Sequence, residues 1–183
     1  MRPCRSTAAG DAEGIAAAKR RLANVYSLQQ RNYAKAAALC AESLELCRAV
    51  GDRQGLSQTH LVLGNLARDQ GEAERASAHY RESLLLRKQL EQREDCAQTL
   101  EALAVGLGHS GQAGRAVQLV SGSRQLRGAI RAPLTAFEQA NQDEVVADWR
   151  ELLGEGPFND LWRLGQVLSF EQLTQLALSA GSL

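Results

Sequence analysis

The sequence predicts an all-α protein, an α-solenoid in which antiparallel helix pairs stack into a superhelix. The first reason is an internal repeat: the stretch from Leu63 to Ala76 aligns with the stretch from Leu103 to Ala116, 40 residues further on. The second is that apolar residues recur at helical spacing, with no alternation of the kind a half-buried strand shows. The third is a composition dominated by Ala, Leu, Glu, Gln and Arg, which favour helices.

Three copies of the repeat follow an N-terminal segment, residues 1–13, that is poor in core residues and is predicted to be flexible. The same offset of 40 carries Ala36 onto Ala76 and Ala116, and the first copy is one residue longer in its turn. The predicted copies span residues 14–54, 55–94 and 95–132.

Each copy is predicted to be two helices joined by a short turn. In the second copy, leucines at helical spacing precede Gly71, and the helical pattern resumes at Ala76. A glycine just past a helix is typical of the left-handed residue that ends it, and Gly111 occupies the same place in the third copy.

The remaining residues, 133–183, predict a set of helices that cap the last repeat, because a stacked array must cover its terminal apolar face. Two helix starts are indicated by the S/T-x-x-E/Q spacing of a capping box. Thr135 with Glu138 forms the first, and Ser169 with Gln172 forms the second.

Charge and hydropathy exclude several classes of partner. Lys plus Arg equals Asp plus Glu at 21 each, so no excess of positive charge is present for nucleic acid or an anionic membrane. Apolar runs are far shorter than the roughly 18 to 20 residues of a membrane span. The basic start also leads into no apolar segment of a signal peptide. We therefore expect a cytoplasmic protein that binds neither nucleic acid nor membranes.

Gly106, Gly108 and Gly111 have the G-x-G-x-x-G spacing of many dinucleotide sites. That chemistry needs a buried strand before the glycines, whereas the repeat predicts a helix there. Glycines inside a helix cost about 1 kcal/mol each relative to alanine, unless the missing side chains admit a neighbouring helix or a ligand. We expect no nucleotide site.

Cysteine and histidine show no metal-ligand spacing, and we expect no metal, cofactor or catalytic residue. Cys4, Cys40, Cys47 and Cys96 include no C-x-x-C and favour reduced thiols packed as small apolar residues. The histidines stand alone in the sequence. Acidic residues recur at helical spacing on polar faces, which indicates solvated charge rather than a catalytic pair. The histidines are His60, His79 and His109.

The aligned copies resemble the tetratricopeptide repeat. The residues that carry the resemblance in the second copy are Leu63, Gly64, Ala67, Gly71, Ala76 and Tyr80. Copies of 40 residues look like those of kinesin light chains and of bacterial signal-transduction ATPases with LuxR-type or adenylate-cyclase-type regulators. The run from 132 to 178 is similar to the closing segment of the second group, and this favours it.

The resemblance implies a concave groove, lined by the first helix of each copy, that binds a protein or peptide. The implied binding residues are Arg20, Asn24, Ser27, Gln58, Leu61, Asn65, Arg68, Gln98, Glu101 and Val105. Arg20 and Asn24 are similar to half of a clamp for a peptide's terminal carboxylate, but Gln98 stands where that clamp needs a basic residue. Solvated charge for the arginines and packing between repeats for the asparagines remain alternatives.

The resemblance further implies a non-catalytic interaction module, the sensing or docking part of a bacterial signalling or transcriptional regulator. The chain contains no G-x-x-x-x-G-K-[ST] segment for an ATPase, so we expect the sensor end of a longer protein or one that kept only that end. A free-standing or self-associating scaffold and a peptide or small-ligand sensor are the alternatives. Exposure of Ile15 and Leu22 would predict a homodimer.

Overall fold

The computed structural model describes residues 7–179, and every regular element in that range is an α-helix. The helices are α1 (Thr7–Leu28), α2 (Tyr33–Val50), α3 (Arg53–Asp69), α4 (Ala73–Gln89), α5 (Arg93–His109), α6 (Ala113–Ile130), α7 (Ala136–Leu153), α8 (Glu155–Gln166) and α9 (Phe170–Ser179). The predicted fold class, all-α with stacked helix pairs, is confirmed. Within the described range, no helix combines the length and the apolar character needed to cross a membrane.

The chain divides into two compact units, Met1–Leu90 and Glu91–Leu183. Helices α1 to α4 belong to the first unit, and helices α5 to α9 belong to the second. All three tyrosines of the chain lie in the first unit, and both tryptophans lie in the second.

The first unit consists of two helix pairs, α1 with α2 and α3 with α4, which stack through α2 and α3. Its core combines small residues, namely Ala23, Ala36 and Cys40, with leucines of α2 and α3. Small residues let two helices approach closely, which long side chains would prevent. At Gly64 the two helices of the second pair approach closely, because an added Cβ would lie within 3.0 Å of the Tyr80 ring.

Left-handed glycines end the first helix of the second and third pairs, as predicted. Gly71 has φ +77° and Gly111 has φ +81°, values that residues with a Cβ seldom adopt. Gly106 and Gly108 lie inside α5, so the helical interpretation of the G-x-G-x-x-G stretch is confirmed.

The second unit contains one helix pair, α5 with α6, and α7, α8 and α9 each pack on α6. Gly165 of α8 gives the closest approach, because an added Cβ would fall within 3.0 Å of the Gln118 backbone. The Ser121 hydroxyl donates to the Trp162 carbonyl at 2.9 Å and so links α6 to α8.

Both predicted capping boxes are present. The Glu138 amide donates to the Thr135 hydroxyl at 3.3 Å, and the Thr135 amide donates to the Glu138 carboxylate at 2.9 Å. The same reciprocal bonds join Ser169 and Gln172, at 3.2 Å and 2.9 Å. Each box satisfies two amides that the first turn of a helix leaves without a partner.

Three predicted boundaries differ from the structure. Helix α1 begins at Thr7, so residues 7–13 are helical and the boundary placed at 14 falls inside a helix. The alanines of this segment explain the difference, since alanine is the strongest helix former. Residues 1–6 and Cys4 lie outside the described range. The second and third copies begin with their helices at Arg53 and Arg93, two residues before the predicted limits.

Cys40, Cys47 and Cys96 lie in buried positions, as predicted for cysteines that pack as small apolar residues. Burial raises the pKa of Cys40 to about 11, which keeps this thiol protonated at neutral pH. These cysteines therefore act as small core residues.

Candidate functional site

The groove residues predicted in the first two copies fall on α1 and α3, and one hydrogen bond joins the two helices. Arg20 of α1 donates from its guanidinium to the side-chain oxygen of Gln58 in α3. Burial lowers the pKa of the half-buried Arg20 from its ordinary value. We call the side chains of Arg20, Asn24, Gln58, Leu61, Asn65 and Arg68 the docking face.

Two amide side chains of the docking face are oriented by neighbouring groups. The Tyr80 hydroxyl donates to the Asn65 side-chain oxygen at 2.9 Å. Tyr80 itself is fully buried, and burial raises its pKa to about 12, so the hydroxyl stays protonated and keeps this bond. Because the oxygens of Asn65 and Gln58 are both engaged, the NH₂ group of each amide is left to donate to a partner.

The other groove residues predicted in the first unit differ in solvent exposure. Asn24 is exposed, Leu61 is half-buried, and Arg68 donates to the neighbouring Asp69 at 2.9 Å in an ion pair. Ser27 is only 8% exposed and offers almost no surface to a partner. The docking face therefore combines a central apolar side chain with amide and guanidinium donors.

Such a set of donors matches the acceptors of a peptide, which are its backbone carbonyls and carboxylates. The arginine guanidinium and the side-chain amide can each donate more than one hydrogen bond. A hydrogen bond from arginine to a carboxylate is charge-assisted and therefore stronger than one to a neutral carbonyl.

The predicted groove residues of the third copy, Gln98, Glu101 and Val105, lie in the second unit and line a cavity of about 310 Å³. Helices α5, α6 and α7 and the segment before α7 form its wall. The full lining is Gln98, Glu101, Ala102, Val105, Val120, Arg127, Leu134, Glu138, Asn141, Gln142, Val145 and Trp149.

A nearly buried ion pair forms one side of this cavity. The Arg127 guanidinium donates to both carboxylate oxygens of Glu101, at 2.7 Å and 2.9 Å, and its third nitrogen donates to the Ala132 carbonyl at 3.2 Å. The side chains are 10% and 13% exposed. The Ser123 hydroxyl adds a third bond to Glu101, at 2.8 Å. The hydrogen bond to Glu101 raises the pKa of Arg127, so both charges persist and cancel each other.

The opposite side of the cavity is made by α7, which the sequence did not connect with a site. Trp149 of α7 is 5% exposed and lies against Gly108, where an added Cβ would meet its indole ring within 3.0 Å. The expectation that a mid-helix glycine admits a neighbouring helix is thus confirmed at Gly108. The sequence predicts that residues 133–183 cap the last repeat, and Gly108 is the position that shows where α7 packs.

The interpretation of the histidines as isolated residues is wrong for two of them. His60 of α3 and His79 of α4 lie with their Nδ1 atoms 3.2 Å apart and their ring centroids 5.4 Å apart. Pairing of the two helices brings together positions that are 19 residues apart in the chain. Burial, with the charges of His79 and Arg48, lowers the pKa of His60 to about 4, and burial also lowers the pKa of His79.

Stacked helix pairs with left-handed turn glycines define a helical repeat protein of the solenoid class. Residues 14–89 match the family model described as the tetratricopeptide repeat. This match covers the first unit's two pairs and supports the class of protein that the repeats predict. Tetratricopeptide repeats generally mediate interactions between proteins and are typically non-catalytic scaffolds. The chain has no match among curated proteins and none among solved structures.

Proposed function

We propose that this chain is a non-catalytic protein-interaction module whose docking face binds an extended, acidic segment of a partner protein. The observation that carries the proposal is the Arg20–Gln58 bond, since it joins predicted groove residues of two successive copies. The oriented amide groups of Gln58 and Asn65 add donors to that face.

We further propose that the module is the docking or sensing part of a bacterial signalling or transcriptional regulator. This proposal is supported by a sequence resemblance. The run 132–178, which folds as α7 to α9, is similar to the closing segment of regulators that carry an ATPase. Binding of the partner protein to this module would then be the signal, and the remainder of the regulator would produce the response.

A charge reversal on the docking face tests the proposal. We expect Arg68→Glu to reduce binding of peptides selected from a displayed random library by about tenfold or more, because a donor becomes a repelling carboxylate. Peptides selected by the native chain should be enriched in Asp, Glu or a free terminal carboxylate. Affinity is measured by isothermal titration with the selected peptides.

Arg75→Glu is the matched control for this experiment. Arg75 pairs with Glu72 on α4 much as Arg68 pairs with Asp69, but it lies outside the docking face. Equal loss of affinity in the two variants, or selected peptides without acidic enrichment, would contradict the docking face as the binding surface. Circular dichroism shows beforehand that both variants are folded.

Self-association is the second candidate, and a specific observation favours it. Helix α1 presents an exposed apolar stripe formed by Ile15, Leu22, Val25 and Leu28, which are 50%, 43%, 39% and 75% exposed. Acidic residues lie in the first half of α1 and basic residues in its second half, so two copies of the helix packed antiparallel would place opposite charges together.

A further inference from the structure

We infer that the cavity between α5, α6 and α7 is a binding site for a small amphipathic molecule that is uncharged or cationic. Such a ligand would place an apolar or aromatic group against Trp149 and Val105 and a hydrogen-bonding head beside Asn141 and Gln142. This site lies wholly in the second unit and is independent of the docking face on α1 and α3.

The size of the cavity indicates a small molecule rather than a segment of protein. Its volume of about 310 Å³ is at the lower end of the roughly 300 to 1,000 Å³ that small-molecule pockets enclose. Half of the lining is apolar, and Trp149 is its aromatic residue. A planar apolar group of similar size to a phenyl ring would therefore fill the inner part.

The polar part of the lining defines the head of the ligand. The Gln142 side-chain oxygen accepts a bond from the Arg124 guanidinium at 2.6 Å, which leaves the NH₂ of that amide as a donor. Asn141, one residue before it on α7, is exposed and contributes both an amide donor and an amide acceptor. A head with an amide, amine or hydroxyl group matches these two side chains.

The charges around the cavity select against anions. Glu101 and Arg127 are both ionised and satisfy each other through two short hydrogen bonds, so together they contribute no net charge. Glu138 is the remaining charged group of the lining. The hydrogen bonds from Thr135 lower the pKa of Glu138, which keeps this carboxylate ionised at neutral pH. The net charge of the lining is therefore negative.

A ligand in this position would touch the helix pair and α7 at the same time. Because the Arg127 guanidinium also holds the Ala132 carbonyl in the segment before α7, the ion pair forms a rigid base for the cavity. Binding would thus stabilise α7 on the pair α5–α6, and this is the step by which a small molecule would be sensed.

The test uses three probes that share a phenyl group and differ in the head: phenethylamine, phenylacetamide and phenylacetate. Each is titrated into the full, isotope-labelled chain, and the indole N–H resonance of Trp149 and the side-chain amides of Asn141 and Gln142 are followed by nuclear magnetic resonance. We expect saturable shifts with the amine and the amide, and an affinity for phenylacetate weaker by about fivefold because of the Glu138 charge.

Four variants make the test specific to the cavity. Ala102→Leu fills the cavity and should abolish the shifts, while Ala147→Leu, an equal change at an exposed position of α7 outside the lining, should preserve them. Val145→Phe serves as a second filling variant if Ala102→Leu does not fold. Glu138→Gln keeps a residue suited to the capping box and should reduce the preference for the amine over phenylacetate.

The proposal is overturned if none of the three probes shifts these resonances, if the filling variants bind as the native chain does, or if phenylacetate binds most tightly. Binding of peptides alone at this site would also overturn it. Arg68→Glu, which damages the docking face, should leave probe binding unchanged, so failure here is distinguishable from failure of the proposed protein docking.

Discussion

Glycines of this chain have two structural roles: some end a helix, and others make room for a neighbouring side chain. At Gly71 and Gly111 the backbone needs a positive φ to end a helix. At Gly108 the backbone is ordinary helix, and the residue is small because the Trp149 ring occupies the space of a side chain. The helical cost of this glycine is thus offset by the burial of an indole ring, which is among the largest gains a single side chain provides.

We predict that Gly108→Ala destabilises the protein. The new Cβ would meet the Trp149 ring within 3.0 Å, and overpacking of this kind costs typically about 1 to 3 kcal/mol. Chemical denaturation followed by circular dichroism measures the free energy of unfolding of the second unit.

Gly128→Ala is the matched control within the same unit. Gly128 lies near the end of α6, and an added Cβ there would meet nothing within 4 Å. Alanine should therefore stabilise by about 0.5 to 1 kcal/mol through helix propensity. If both substitutions stabilise, the contact with Trp149 does not restrict position 108.

The packing of α3 on α4 brings together two histidines that are distant in the sequence. His60 lies on α3 and His79 lies on α4. Each imidazole is partly buried, and the two Nδ1 atoms share one hydrogen bond, which requires that at least one ring be neutral. Arg48 of α2 and Arg75 of α4 add positive charge around the pair, and Glu82 of α4 opposes them in part.

We predict that the helix pair α3–α4 loses stability in mild acid. The pKa of His60 is about 4 in the folded chain and 6.5 in its ordinary state. Between these values the unfolded chain binds more protons, so the free energy of unfolding falls as the pH is lowered from 6.5 towards 4. Denaturation curves across this pH range measure the dependence.

His60→Gln should reduce the slope of the free energy of unfolding against pH, because the titrating imidazole is removed. His109→Gln, at an exposed position, should retain the full slope of the native chain. A slope that is the same in all three proteins would assign the acid sensitivity to groups other than the pair.

For the whole molecule, the exposed stripe on α1 predicts a concentration-dependent dimer. An apolar stripe at spacings of seven and three residues is typical of a helix that packs on another helix. We expect Leu22→Glu to weaken self-association by about tenfold or more, because the interface would bury an unpaired carboxylate. Sedimentation equilibrium measures the dissociation constant.

Leu152→Glu is the control, since Leu152 of α7 is 70% exposed and lies outside the stripe. A native chain that sediments as a monomer at every concentration would argue against the dimer. The same conclusion would follow if the two variants had equal effects.

The parts of this molecule that depend on local pattern were predictable, and the parts that depend on distant partners were not. Turn glycines, capping boxes and helix pairs follow from residues close together in sequence, and the structure has them where the pattern indicates. The His60–His79 contact and the wall of Asn141, Gln142 and Trp149 depend on which helices meet. A single sequence gives little information on which helices contact one another, and Gly108 is the exception here.

The segregation of the aromatic residues has a spectroscopic consequence. Tyr26, Tyr33 and Tyr80 belong to the first unit, whereas Trp149 and Trp162 belong to the second. Because tryptophan alone is excited at long wavelength, fluorescence would report only on the second unit. The opening of that unit can therefore be observed by itself, in an unlabelled sample of the whole chain.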